Sequence, residues 1–267
     1  MPENKIIMPR ETDRLINVDD VVIVQHGLPG IEWRKRMEDE AIELLKGEGN
    51  FAAVFPSQSL TEPFSIDEYM KNASDTIRDI QAALPSKRLH LVGQSYGAAA
   101  VLQALRKMQK AGRPAPDSVH FLSPFAKIAT ETQDPKIALS IVNTRLLTDK
   151  AMLTPKRQEV RLRKVLEECE GVYKVEGDLV EEHRKLFGDE FYRAIGDLRE
   201  FVSASRVQII RGGKDEHIGE EHTELIRQRL GQSIPERIIP HDGHDLDSIN
   251  IIEEILSDWT IPNSQVK

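Results

Sequence analysis

The chain reads as an α/β protein: a mostly parallel central sheet with helices on both faces, interrupted by a helical insertion. Three observations predict this. Short, almost wholly apolar runs at 21–25, 51–55, 88–92, 119–122, 207–211 and 237–239 have the length and composition of strands covered on both faces. Longer amphipathic stretches at 31–46, 66–84, 96–110, 220–230 and 246–259 alternate with them, as crossover helices do in a parallel sheet. The alternation breaks once, at 125–205, where charged helical segments run on with no strand between them.

Taken in order, the segment before Asp20 has room only for two very short strands, at 6–8 and 15–18. The stretch 66–84 opens on Ser65 followed by Glu68, the spacing of a capping box. The break at 125–205 is punctuated by Pro135 and Pro155 and carries Leu139, Ile141, Val142, Leu146, Leu147, Met152 and Leu153 in its first half. It is expected to be a helical cap, leaving 1–124 and 206–267 as one core.

Composition narrows the function. With 36 basic and 44 acidic residues the formal charge is −8, which repels a phosphate backbone, so no nucleic-acid partner is expected. Cys169 is the only cysteine and no disulfide framework exists. The first twenty residues lack the apolar core of a secretory signal, and no run approaches the roughly 18 apolar residues of a membrane span. A reduced cytoplasmic setting with no membrane span is the expectation, and a homo-oligomer is left open.

Gly93-Gln94-Ser95-Tyr96-Gly97 fits the pattern G-x-S-x-G. By composition alone such a match turns up in about one chain of this length in ten, so its setting matters more than the match. Here it follows the strand 88–92 and precedes Ala98-Ala99-Ala100, the strand-turn-helix context of a nucleophile elbow. A sharp turn lifts the Ser95 hydroxyl above the sheet, where side chains at 93 and 97 would collide with backbone. Three alanines let the next helix lie close, with its N-terminal partial positive charge aimed where an oxyanion would form.

His26-Gly27-Leu28-Pro29-Gly30 follows the strand 21–25 and resembles the HG-x-P turn of capped α/β-hydrolases. Two further stretches resemble that superfamily, the strand 206–211 running into Gly213-Lys214-Asp215 and the strand 237–239 running through His241 into Gly243-His244. The chain order Ser, Asp, His is the one this fold uses. The resemblance implies a triad of Ser95, Asp215 and His244, with the backbone N–H groups of Leu28 and Tyr96 as the oxyanion hole and His26 as a residue that shapes the turn. His244 is preferred to His241 because it is preceded by glycine and lies farther from the strand end. Epoxide hydrolases and haloalkane dehalogenases share the turn but use aspartate where this chain has Ser95.

The implied activity is a serine hydrolase that cleaves a carboxylic ester or thioester of a small-molecule substrate, with no cofactor. The alternatives on the same triad are a cofactor-free peroxidase, a carbon-carbon bond hydrolase and an aminopeptidase. The last would use acidic cap residues such as Glu168, Glu170, Glu176, Asp178, Glu181 and Glu182. From another class comes a catalytically silent hydrolase fold serving as a ligand receptor. A metal site built on His217, His222, His241 and His244 is disfavoured, because spacings of five and three are poor for two ligands on one helix face.

Overall fold

A computed structural model of the chain describes residues 5–8, 18–27, 31–46, 50–56, 66–125, 189–215, 218 and 220–260. Among the described residues seven strands form one sheet: β1 (Lys5–Ile7), β2 (Asp20–Gln25), β3 (Phe51–Phe55), β4 (Arg88–Gln94), β5 (Ser118–Leu122), β6 (Val207–Gly212) and β7 (Glu236–Ile239). Their spatial order is β1-β3-β2-β4-β5-β6-β7. Only β1 runs antiparallel, pairing Lys5 with Phe55 and Ile7 with Ala53, while all the other ladders are parallel. Described helices are α1 (Ile31–Lys46), α2 (Ile66–Ala83), α3 (Gly97–Lys110), α4 (Asp189–Ile195), α5 (Glu220–Leu230) and α6 (Ile251–Thr260).

The pleat sorts each strand between two cores. Val21 and Ile23 of β2, Leu89 and Leu91 of β4, and Val119 and Phe121 of β5 face α2, α3, α4 and α5. Val22, Val24, Val92 and Leu122 face the opposite way, toward Trp33, Met37 and Ala41 of α1 and Ile251, Ile252 and Ile255 of α6. Both faces are therefore dry, which is why these strands read as continuous apolar runs. Ala98, Ala99 and Ala100 are fully buried, so α3 lies directly on the central strands.

Element boundaries agree with the sequence expectation within a residue or two, with one larger difference. The last helix starts at Ile251 rather than at 246, because Leu246 has a φ of +54°, outside the helical region. The Ser65 cap, residues 15–17 of the expected strand at 15–18, Cys169 and residues 126–188 of the expected cap lie outside the described residues. Of the 125–205 stretch, Phe191, Ile195, Leu198 and Val202 are buried in the same core as α3. No described helix is long and apolar enough to cross a membrane.

A polar ladder crosses the α1/α6 face near the amino ends of the strands. Asp20 Oδ1 meets His90 Nε2 at 2.8 Å, His90 Nδ1 meets Ser118 Oγ at 2.8 Å, and Ser118 Oγ meets His120 Nε2 at 2.9 Å. His120 Nδ1 ends the chain on Gln208 Oε1 at 3.3 Å. Burial, aided by the neighbouring His90, pushes His120 down to about 3, and burial pushes His26 down to about 4. Both histidines are thus neutral when folded, whereas in the unfolded chain each takes a proton near pH 6.5. Below that pH the unfolded state binds more protons than the native state, so stability falls with acidification. We expect a loss on the order of 1 kcal/mol per pH unit per histidine between pH 6.5 and about 4, with little change above pH 7. Urea unfolding at pH 7.5, 6.5 and 5.5 measures this slope, and His120→Gln should flatten it; an unchanged slope in that variant would clear the ladder of responsibility.

Candidate active site

The turn after β4 is built from close approaches. A Cβ at position 97 would sit 2.0 Å from the Gln25 carbonyl oxygen, and one at 93 would sit 2.8 Å from Ala98 Cα, so both flanks of Ser95 require glycine. Ser95 itself has a φ of +51°, a left-handed conformation that a side chain adopts at a cost of about 1–3 kcal/mol. The surroundings hold it there. Its N–H donates to Leu122 O at 3.0 Å, and its carbonyl accepts the N–H groups of Ala98 and Phe125, each at 3.0 Å.

The turn after β2 is pressed against that elbow. A Cβ at position 27 would lie 2.6 Å from Ser95 Cβ, which accounts for glycine after His26. Gln94 Oε1 accepts the Gly27 N–H at 2.8 Å, tying the two turns together through buried groups. His26 is buried and bonds its own turn, Nδ1–H donating to Gly27 O at 2.8 Å, while the Tyr69 hydroxyl donates to His26 O at 2.5 Å. Burial raises the Tyr69 hydroxyl well above its ordinary range, so it remains a donor. Leu28 lies outside the described residues.

At the far side of the same edge, the loops after β6 and β7 are zipped by backbone bonds. Gly213 N–H donates to Ile239 O at 2.8 Å and Lys214 N–H to Asp242 O at 2.8 Å. This brings His244 Nδ1 to 2.9 Å from Asp215 Oδ2. The second oxygen of Asp215, Oδ1, accepts the Ile218 N–H at 3.0 Å. Asp215 has no exposed side-chain surface, whereas His244 keeps 23% of its own. An ionised carboxylate only accepts, so in this contact Nδ1–H of His244 is the donor. His241 is exposed on the intervening turn, and the neighbouring Asp242 accepts the Ser248 N–H at 3.0 Å.

Ser95, Asp215 and His244 therefore share the carboxyl edge of the sheet, following β4, β6 and β7. With β5 between them, β4 and β6 are about 10 Å apart. The described non-glycine residues with positive φ are Ser95, Ser123 and Leu246, all at this edge. Backbone strain of this kind concentrates at functional sites. Beside the elbow, Tyr96 stacks on Phe125 at 4.5 Å, and Phe125 meets the buried His222 of α5 at 5.0 Å. The Asp20–His90–Ser118 string has the same residue types but sits at the amino ends of the strands, with His90 and Ser118 fully buried, so substrate has no route to it. Among the described residues no group of three or more His, Cys, Asp or Glu could hold a metal ion, and His217 lies outside them.

Sequence reasoning missed Gln94, which sat unremarked inside the elbow motif, and Tyr69, whose helix carries no signal beyond the capping box at its start. It also missed Trp33 and Arg36 of α1, which contact the loop beyond His244 and carry no sequence signal for doing so.

Comparison with solved structures places this architecture among known folds. The chain is similar to a candidate lipase of Acinetobacter baumannii AYE, with a TM-score of 0.56 and 15% identity over 90% of this chain and 83% of that one. It is also similar to a carboxylesterase of the ammonia-oxidising thaumarchaeon Nitrososphaera gargenis, with a TM-score of 0.54 and 13% identity over 96% and 93% of the two chains. A third is 2-hydroxy-6-oxo-6-phenylhexa-2,4-dienoate hydrolase of Rhodococcus sp. strain RHA1, with a TM-score of 0.51 and 14% identity over 90% of each chain. No family model matches the sequence, and no curated protein matches it either.

Proposed function

From the α/β-hydrolase fold that this chain adopts, we propose that it is a serine hydrolase cleaving a carboxylic ester or thioester through an acyl-enzyme on Ser95. The observation that carries the proposal is the direct contact of His244 Nδ1 with the buried Asp215 carboxylate, on the same sheet edge as a serine held in a left-handed turn at the start of α3. In this reading Nε2 of His244 takes the Ser95 hydroxyl proton as Oγ attacks the carbonyl carbon. The N–H groups of Leu28 and Tyr96 stabilise the resulting oxyanion. The tetrahedral adduct expels the alcohol or thiol, which leaves with the proton from His244. Water, deprotonated by the same nitrogen, then releases the acid and restores Ser95.

The segment 125–205 acts as a cap over this edge in the same reading. It leaves the sheet after β5, next to the elbow, and its end at 189–205 is anchored on α3 through Phe191 and Ile195. Ligands of open α/β sheets bind outside the carboxyl ends of the strands, so a cap there sets which acyl groups fit. A panel of p-nitrophenyl esters of graded acyl length tests the activity: turnover with a defined length optimum supports it, and absence of turnover on every ester, thioesters included, would remove it.

A further inference from the structure

One face of α1 grips the chain that follows His244. The Arg36 guanidinium donates through Nη1 to Asp245 O at 2.9 Å and through Nη2 to Leu246 O at 2.8 Å and Ile249 O at 3.5 Å. Nη1 also meets the Asp247 carboxylate at 2.6 Å, but that carboxylate is 80% exposed, so the ion pair adds little. One turn earlier, Trp33 Nε1–H donates to Asp245 O at 3.2 Å from a buried ring. One turn later, Glu40 Oε1 accepts the Ile252 N–H at 2.6 Å and the Glu253 N–H at 3.4 Å, capping α6. Positions 33, 36 and 40 lie on one helical stripe. The loop they hold is not helical: Leu246 is fully buried at a φ of +54°, and its own carbonyl and that of Asp245 turn toward the guanidinium instead of continuing α6 toward His244.

We propose that Arg36 is a positioning residue for His244, acting with Trp33 to fix the backbone immediately after the base. A planar five-donor fork suits this task, since it satisfies several carbonyls in one plane, which a lysine ammonium does less well. The same helix begins four residues beyond Gly27, so α1 links the turn beside Ser95 to the loop bearing the base. Displacing that loop leaves substrate binding intact and misaligns proton transfer, so the loss falls on kcat. The proposal rests on His244 being the base.

Four variants are compared in ester turnover, with active sites counted by fluorophosphonate titration and folding followed by Tm. Arg36→Gln is expected to lower kcat per titrated site about tenfold to a hundredfold with KM within about twofold, as small displacements of catalytic groups do. Arg36→Lys should recover part of the loss. Asp247→Ala, which removes only the exposed ion pair, should turn over like the wild type. Trp33→Phe keeps an aromatic ring at the buried position and drops the indole donor; it should lower kcat severalfold and decides the question if Arg36→Gln does not fold. Wild-type kcat per titrated site in Arg36→Gln and Trp33→Phe overturns the proposal, as does a loss explained wholly by fewer folded molecules. His244→Ala, measured alongside, separates the two levels: if that variant turns over normally the base assignment fails, whereas if it is inactive and the Arg36 variants are normal only the positioning role fails.

Discussion

Ser95→Ala is expected to lower ester turnover by roughly a thousandfold or more while leaving the fold in place. The magnitude follows from removing the attacking atom itself, so that only residual stabilisation by oriented N–H groups remains. Stability should change little. Alanine suffers the same left-handed strain as serine at this φ of +51°, and the hydrogen bonds that Ser95 makes to hold the turn are those of its backbone N–H and carbonyl. Initial rates on the best ester, compared at matched Tm, check it. Turnover near wild type in this variant would remove the mechanism as a whole.

The second large effect separates two histidines three residues apart. His244→Ala should mimic Ser95→Ala, because a serine hydroxyl without a base is a poor nucleophile. His241→Ala should keep turnover within about twofold of wild type. The difference lies in their surroundings. His244 has its Nδ1 on a fully buried carboxylate whose other oxygen is held by the Ile218 N–H, while His241 is exposed on the turn between β7 and that contact. The double variant Ser95→Ala/His244→Ala should fall no further than either single one, since residues acting as a unit are not additive. The reverse ranking of the two histidines would put the base on the wrong residue.

The strands were legible because burial on both faces writes itself into sequence as uninterrupted apolar runs, and β3 was read to its terminal residues. The elbow was legible for a steric reason: only glycine tolerates the 2.0 Å approach of the Gln25 carbonyl at position 97, so the motif and the geometry are one constraint. The contact of His244 with Asp215 joins residues 29 apart through paired loops, and no local pattern encodes it beyond the order of the residues. The start of α6 was read five residues early for a similar reason. Residues 246–250 look amphipathic, but Arg36, 210 positions away from Leu246, takes the carbonyls there. The antiparallel pairing of β1 with β3 also followed from no local signal, since three residues are too few to carry a period.

Covalent labelling shows whether Ser95 is a nucleophile activated at this sheet edge. The protein is treated with a fluorophosphonate, digested, and the modified peptide located by mass spectrometry. A single modified residue, Ser95, is expected in nearly every molecule, with labelling lost in Ser95→Ala, strongly slowed in His244→Ala and unaffected in His241→Ala. Label on Ser123 or another serine, or ester turnover that persists in protein carrying no label at all, would contradict it.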